Sequence, residues 1–91
     1  MNIETLFDII QSRRENPPEG SYTARLFKEG LPWIAQKVGE EGTEVVVAAL
    51  AQSDQRLIEE IADLAFHTLV LLSARGLTPA QIAAELERRH K

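Results

Sequence analysis

The 91-residue sequence contains no cysteine. That absence excludes disulfide staples, a thiolate zinc site and a cysteine nucleophile. A basic excess is also missing: 14 Asp and Glu stand against 10 Lys and Arg, a formal net charge of −4. Nucleic-acid binders normally carry the opposite balance, so that partner class is not expected. Long hydrophobic runs are absent too. The longest strongly apolar stretch, Ile61–Leu72, falls well short of the roughly 20 residues that cross a bilayer. No charged segment followed by an apolar one opens the chain in the manner of an export signal. The expectation is a cytoplasmic protein with no membrane partner. Apolar residues make up 44% of the chain, which fits a globular protein, and the length implies one domain over residues 1–91. A domain in this size range buries only about 60–65% of its unfolded surface. Without staples, its core must rest on helix packing or on oligomerisation.

What is present is helical periodicity. Ile3, Leu6, Phe7 and Ile10 form an apolar stripe that ends before the breaker Asn16-Pro17-Pro18-Glu19-Gly20. Ser21–Glu29 predicts a short helix, with Ser21 as N-cap and Gly30 as its stop. Leu31–Ala51 predicts a long helix with Pro32 in its first turn. Its β-branched run Thr43–Val47 lies inside that pattern. Ser53-Asp54 starts a third long helix that runs to about Arg75, with Gly76 as terminator. Thr78-Pro79-Ala80-Gln81 is a capping box that opens a last helix, with Ile82, Ala83 and Leu86 facing inward. The fold class is all-α: a bundle of three long helices plus shorter ones. Ile61–Leu72 is apolar nearly all round, and such a helix is buried on every side. A chain this short has few helices with which to surround it, so a homodimer or larger assembly is expected.

Five acids break the apolar pattern. Glu40, Glu41 and Glu44 lie on the second long helix, and Glu60 and Asp63 on the third. Glu41 falls within the stripe formed by Ile34, Val38, Val45 and Ala49, where patterning calls for an apolar residue. Glu44 lies on its margin and Glu40 further out. Glu60, Asp63 and His67 share one face of the next helix. Facing helices of this kind converge four carboxylates, Glu41, Glu44, Glu60 and Asp63. Unpaired in a half-buried site, they would repel one another and lose hydration. A hard divalent cation, Mg²⁺ or Mn²⁺, resolves that conflict and suits phosphate substrates. Gly39 and Gly42 flank Glu40-Glu41 and suggest close approach of a helix or a ligand.

Cations and hydroxyls sit nearby. Lys37 is positioned to pair with Glu41 or to hold a phosphate. Ser21, Thr23, Arg25 and Lys28 follow the Pro-Pro-Glu-Gly loop, a composition that suits an anion. Trp33 reads as core or interface, His67 as a buried, hydrogen-bonded histidine or a substrate contact. Arg88, Arg89, His90 and Lys91 complement the last helix dipole or reach a phosphate.

The segments Ser21-Tyr22-Thr23-Ala24-Arg25-Leu26-Phe27, Gly30, Lys37-Val38-Gly39-Glu40-Glu41 with Glu44, and Glu60-Ile61-Ala62-Asp63-Leu64 with His67 resemble the phosphoribosyl-ATP pyrophosphohydrolases of histidine biosynthesis. The resemblance covers roughly Leu6 to His90. The acid pattern alone marks only the wider MazG-like nucleotide pyrophosphohydrolase superfamily, and the Ser21–Phe27 and Lys37–Glu41 segments narrow it. Gly42 and Phe66 stand where the family usually has Ala and Tyr. The resemblance implies an obligate helical dimer that uses Mg²⁺ to split the α–β phosphoanhydride of phosphoribosyl-ATP into phosphoribosyl-AMP and pyrophosphate. It also implies the free-standing form, since the cyclohydrolase fused to some members has cysteine zinc ligands. Glu41, Glu44, Glu60 and Asp63 would hold the metal, Glu40 (with Glu44 next) would act as base, and Lys37 with Ser21–Lys28 would contact phosphates. Two other readings compete: a house-cleaning nucleoside triphosphate pyrophosphohydrolase, and a non-catalytic helical dimerisation module.

Overall fold

Five helices account for nearly all of residues 1–90, which the structure, a computed structural model, describes: α1 (Ile3–Glu15), α2 (Tyr22–Glu29), α3 (Leu31–Ala51), α4 (Asp54–Ala74) and α5 (Pro79–Arg89). Lys91 lies outside the described residues. No strand occurs among the described residues, so the all-α expectation holds. The start and stop signals act as the sequence implies. The Ser21 and Ser53 side chains accept from the amides of Ala24 and Arg56, and Thr78 and Gln81 form the reciprocal capping box. Gly30 ends α2 and begins α3 at φ 98°, a left-handed conformation that lets two helices meet across one residue. The β-branched run Thr43–Val47 stays helical, because the amphipathic pattern around it outweighs a weak local preference.

α3 and α4, joined by Gln52-Ser53, form the long hairpin that organises the chain. α1 and α2 cover one end of it. There Phe7, Ile10, Leu26, Ile34, Leu69, Val70 and Leu72 make the core. The other end is bare: Val46, Val47 and Leu50 of α3 and Ile58 and Ile61 of α4 are exposed. Thus the C-terminal half of the apolar run Ile61–Leu72 is buried within one chain, while its first residue is not. Helix α5 buries no residue at all, and Ile82 and Leu86 are 48% and 64% exposed, so within one chain they do not face inward as expected. With Ile3, Leu69 and Leu72 they border an apolar groove of about 410 Å³.

The single chain exposes 6415 Å², against roughly 5,300 Å² for a compact monomer of this mass. Its radius of gyration is 14.2 Å, against about 12 Å for a compact domain of this length. The uncovered end of the hairpin and the open α5 contribute to that excess.

Candidate active site

The acids sit where the covered and uncovered halves of the hairpin meet. Glu41 and Glu60 are buried, at 6% and 5% exposure, and Asp63 is exposed beside them. One oxygen from each of the three lies within 4.8 Å of the others. Two carboxylates at that separation repel by roughly 3 kcal/mol at an effective dielectric near 20. Two cations offset part of this. Lys37 Nζ is 3.7 Å from Glu41 Oε1, and Arg56 pairs with Glu60 Oε1. Both cations are shared outward, Lys37 with Glu40 at 3.3 Å and Arg56 with Glu59. The cluster therefore stays net negative. The second oxygens, Glu41 Oε2 and Glu60 Oε2, are buried with no hydrogen-bond partner. An orphaned buried carboxylate oxygen is costly. Two of them beside a third carboxylate make an all-oxygen donor set that fits a hard divalent cation.

Each residue singled out in the sequence has a definite place. Glu44 is exposed and lies outside the three-acid cluster, bordering a shallow depression with Arg56 and Glu60. Glu40 is exposed, accepts from Gln36 and Lys37, and has its pKa lowered by those two contacts, Gln36 first. Burial pulls the Lys37 pKa down, but the hydrogen bond to Glu40 and the nearby acids outweigh it and leave it raised. A Cβ placed on Gly39 or Gly42 would meet nothing within 4 Å. No helix of the same chain crosses there, so the close approach expected at that face does not come from within the chain. Trp33 is not core within one chain: it is 41% exposed. It lines a cleft of about 330 Å³ with Tyr22, Arg25 and Lys37. Ser21, Arg25 and Lys28 line a second cleft of about 570 Å³ below the proline loop, whereas Thr23 is buried and borders neither. Arg88 and Arg89 pair with Glu85 on their own helix.

His67 is buried and fully occupied. Its Nδ1 lies 2.8 Å from the Asp63 carbonyl and its Nε2 2.8 Å from the Tyr22 hydroxyl. A carbonyl only accepts, so Nδ1–H donates to it. In the neutral ring Nε2 then accepts from the Tyr22 hydroxyl. Phe66 packs edge-on against His67 at 5.0 Å between ring centres and lies 6.2 Å from Tyr22. The start of α2 is thus tied to the turn of α4 that carries Asp63. Sequence reading missed Arg56 as a partner of Glu60, although their i, i+4 spacing signals it. It also missed Tyr22 as the partner of His67, for which no local signal exists.

The model of the phosphoribosyl-ATP pyrophosphohydrolase family matches residues 3–90. The chain belongs to this family. Curated members named phosphoribosyl-ATP pyrophosphatase agree closely with it. One from Saccharolobus solfataricus is 49% identical over 98% of this chain and 95% of its own length. Those from Sulfurisphaera tokodaii and Sulfolobus acidocaldarius are each 48% identical over 98% of this chain, and over 95% and 94% of their own lengths. The family resemblance read from the motif residues is therefore correct.

Proposed function

We propose that this chain hydrolyses phosphoribosyl-ATP to phosphoribosyl-AMP and pyrophosphate, a step of histidine biosynthesis, with Mg²⁺ as cofactor and Mn²⁺ as a substitute. The family membership and the relatives' names support the substrate. The observation that carries the chemistry is the pair of orphaned buried oxygens on Glu41 and Glu60 beside Asp63. These three residues, with Glu44 at the margin, would hold the cation. When bound, Mg²⁺ supplies charge compensation and Lewis acidity to the phosphate oxygens.

The chain's own residues account for the rest. In the reaction, a water oxygen bonds to phosphorus, the α–β bridging P–O bond breaks, and the water's protons leave. Glu40 is exposed, with one carboxylate oxygen accepting from Gln36 and the other from Lys37. It is our assigned acceptor for the first proton, with Glu44 the next candidate. Lys37, 3.7 Å from Glu41, places a cation between the acid cluster and the cleft beside α2, where phosphate oxygens would enter. Tyr22 and Trp33 line that cleft and offer aromatic faces to a base.

The functional unit in this reading is a homodimer. The surface excess of roughly 1,100 Å² over a compact monomer matches one side of a stable interface, which runs about 800 Å² per partner. A second copy seated on Val46, Val47, Leu50, Ile58 and Ile61 would complete the bundle beside the acids. Among the described residues no helix is long and apolar enough to cross a membrane; the cytoplasm is the proposed location. The test is pyrophosphate release from phosphoribosyl-ATP and from a panel of ordinary nucleoside triphosphates, each with Mg²⁺ and with EDTA. Release from phosphoribosyl-ATP that EDTA abolishes is expected. Release only from the ordinary triphosphates would move the assignment to the house-cleaning class, and no release at all to a non-catalytic module.

A further inference from the structure

Two clefts flank Arg25 beside α2. The cleft that holds Lys37, and so adjoins the acid cluster, shares Arg25 with the cleft below the proline loop. This second cleft is lined by three cations, Arg14, Arg25 and Lys28, and by no acid. That is unusual in a chain whose formal charge is −4. Among the described residues, no carboxylate lies within 4.0 Å of any of the three cations. Arg14 is held in place rather than loose, since its Nη1 donates to the carbonyl of the fully buried Ser73. Among the described residues no hydrogen bond engages its other guanidinium nitrogens. Arg25 lies 5.8 Å from the Tyr22 ring centre, at the junction of the two clefts. A fixed arginine, a junction arginine and an unpaired lysine in one concavity are a receptor for a phosphate group.

The phosphoribosyl-ATP reading supplies a phosphate for that position. This molecule is charged at both ends, with a triphosphate on one ribose and a single 5′-phosphate on the other. The triphosphate belongs at the acids and Lys37, and the aromatic-lined cleft lies between. We propose that the basic cleft takes the distal 5′-phosphate, and that Lys28 and Arg14, with Arg25, thereby set the preference for phosphoribosyl-ATP over unmodified nucleoside triphosphates. This rests on the function proposed above and adds to it the basis of selectivity.

The test is a cycle between one side chain and one substrate group, using the full chain with Mg²⁺. KM and kcat for pyrophosphate release are measured for wild type, Lys28→Gln and Lys28→Arg. The substrates are phosphoribosyl-ATP and ribosyl-ATP, its analogue without the 5′-phosphate. Lys28→Gln is expected to raise KM for phosphoribosyl-ATP about 10-fold with kcat little changed, the size of one lost charge-assisted contact. Lys28→Arg should restore most of it. Against ribosyl-ATP, Lys28→Gln should behave as wild type, because the group it serves is gone. Equal KM increases on both substrates would overturn the inference and place Lys28 at the triphosphate. An unchanged KM on phosphoribosyl-ATP would also overturn it. Failure of the wild-type chain to turn over phosphoribosyl-ATP would instead overturn the functional reading, and the inference with it.

Discussion

Glu41 and Glu60 each set one oxygen against a cation and leave the other buried without a partner. Removing the charge of Glu41 takes a ligand from the cluster but keeps the side-chain volume. Glu41→Gln should therefore lower turnover at least about 100-fold, the upper end of what even outer-shell metal partners contribute. Folding should survive, since the substitution also relieves like-charge repulsion. Steady-state kinetics beside a urea melt checks both halves, and near-wild-type Mg²⁺-dependent activity would refute the assignment. His67 offers a second test at this scale. Its Nε2 has the Tyr22 hydroxyl as sole partner. Tyr22→Phe leaves that buried acceptor unsatisfied, and should destabilise the chain by about 1–2 kcal/mol, read from the denaturation midpoint. These contacts differ in legibility. The acids announce themselves by occupying apolar positions of a helical stripe. The Tyr22–His67 contact joins residues 45 apart, and no periodicity encodes such a pairing.

At the scale of the element, the helices are specified locally to an unusual degree. Ser21, Ser53 and Thr78 cap, Gly30 and Gly76 terminate, and Pro32 and Pro79 occupy first turns. Each of these choices works through the chain's immediate neighbours, so the boundaries were readable. Helix α5 shows the limit of such a reading. Its apolar stripe is plain in the sequence, yet it buries nothing within one chain. Local interactions matter more for it than for the core helices. The Arg88 hydrogen bonds, and then Arg89, lower the pKa of Glu85 below its ordinary 4.5. A carboxylate lowered in the folded state contributes stability above its unfolded pKa and loses it as pH falls through the folded value. Acidification below about pH 4.5 should therefore fray the end of α5, with Glu85→Gln removing that pH dependence. Because the pair is exposed, the effect is small. Carbon chemical shifts along α5, compared with those of α4, would resolve it.

At the scale of the whole molecule, the exposed end of the α3–α4 hairpin is the feature that a single chain does not explain. Placing a charge there tests the dimer directly. Val47→Asp and Ile58→Asp should each convert the assembly to monomer in sedimentation, because an unpaired charge is strongly disfavoured in an apolar interface. Both positions are exposed in the single chain, so the helical fold should persist in circular dichroism. A wild-type chain that sediments as a monomer at micromolar concentration would refute the dimer.

The amino-acid sequence by itself determined the helical class, the five helical segments with the Ser21, Ser53 and Thr78 caps, and the acid face on the long hairpin. These follow from the periodicity of apolar residues and from capping chemistry, which act over a few residues. Only the tertiary structure decided which acids meet. Glu41, Glu60 and Asp63 converge, whereas Glu44 lies at the margin, because convergence depends on the register of α3 against α4. The tertiary structure likewise placed Trp33, read from the sequence as core or interface, outside the core of the single chain and in a cleft wall. It also brought Arg14 from α1 to the cations of α2. Packing between distant segments sets these placements, and a one-dimensional pattern of polar and apolar residues does not contain the distances that packing fixes.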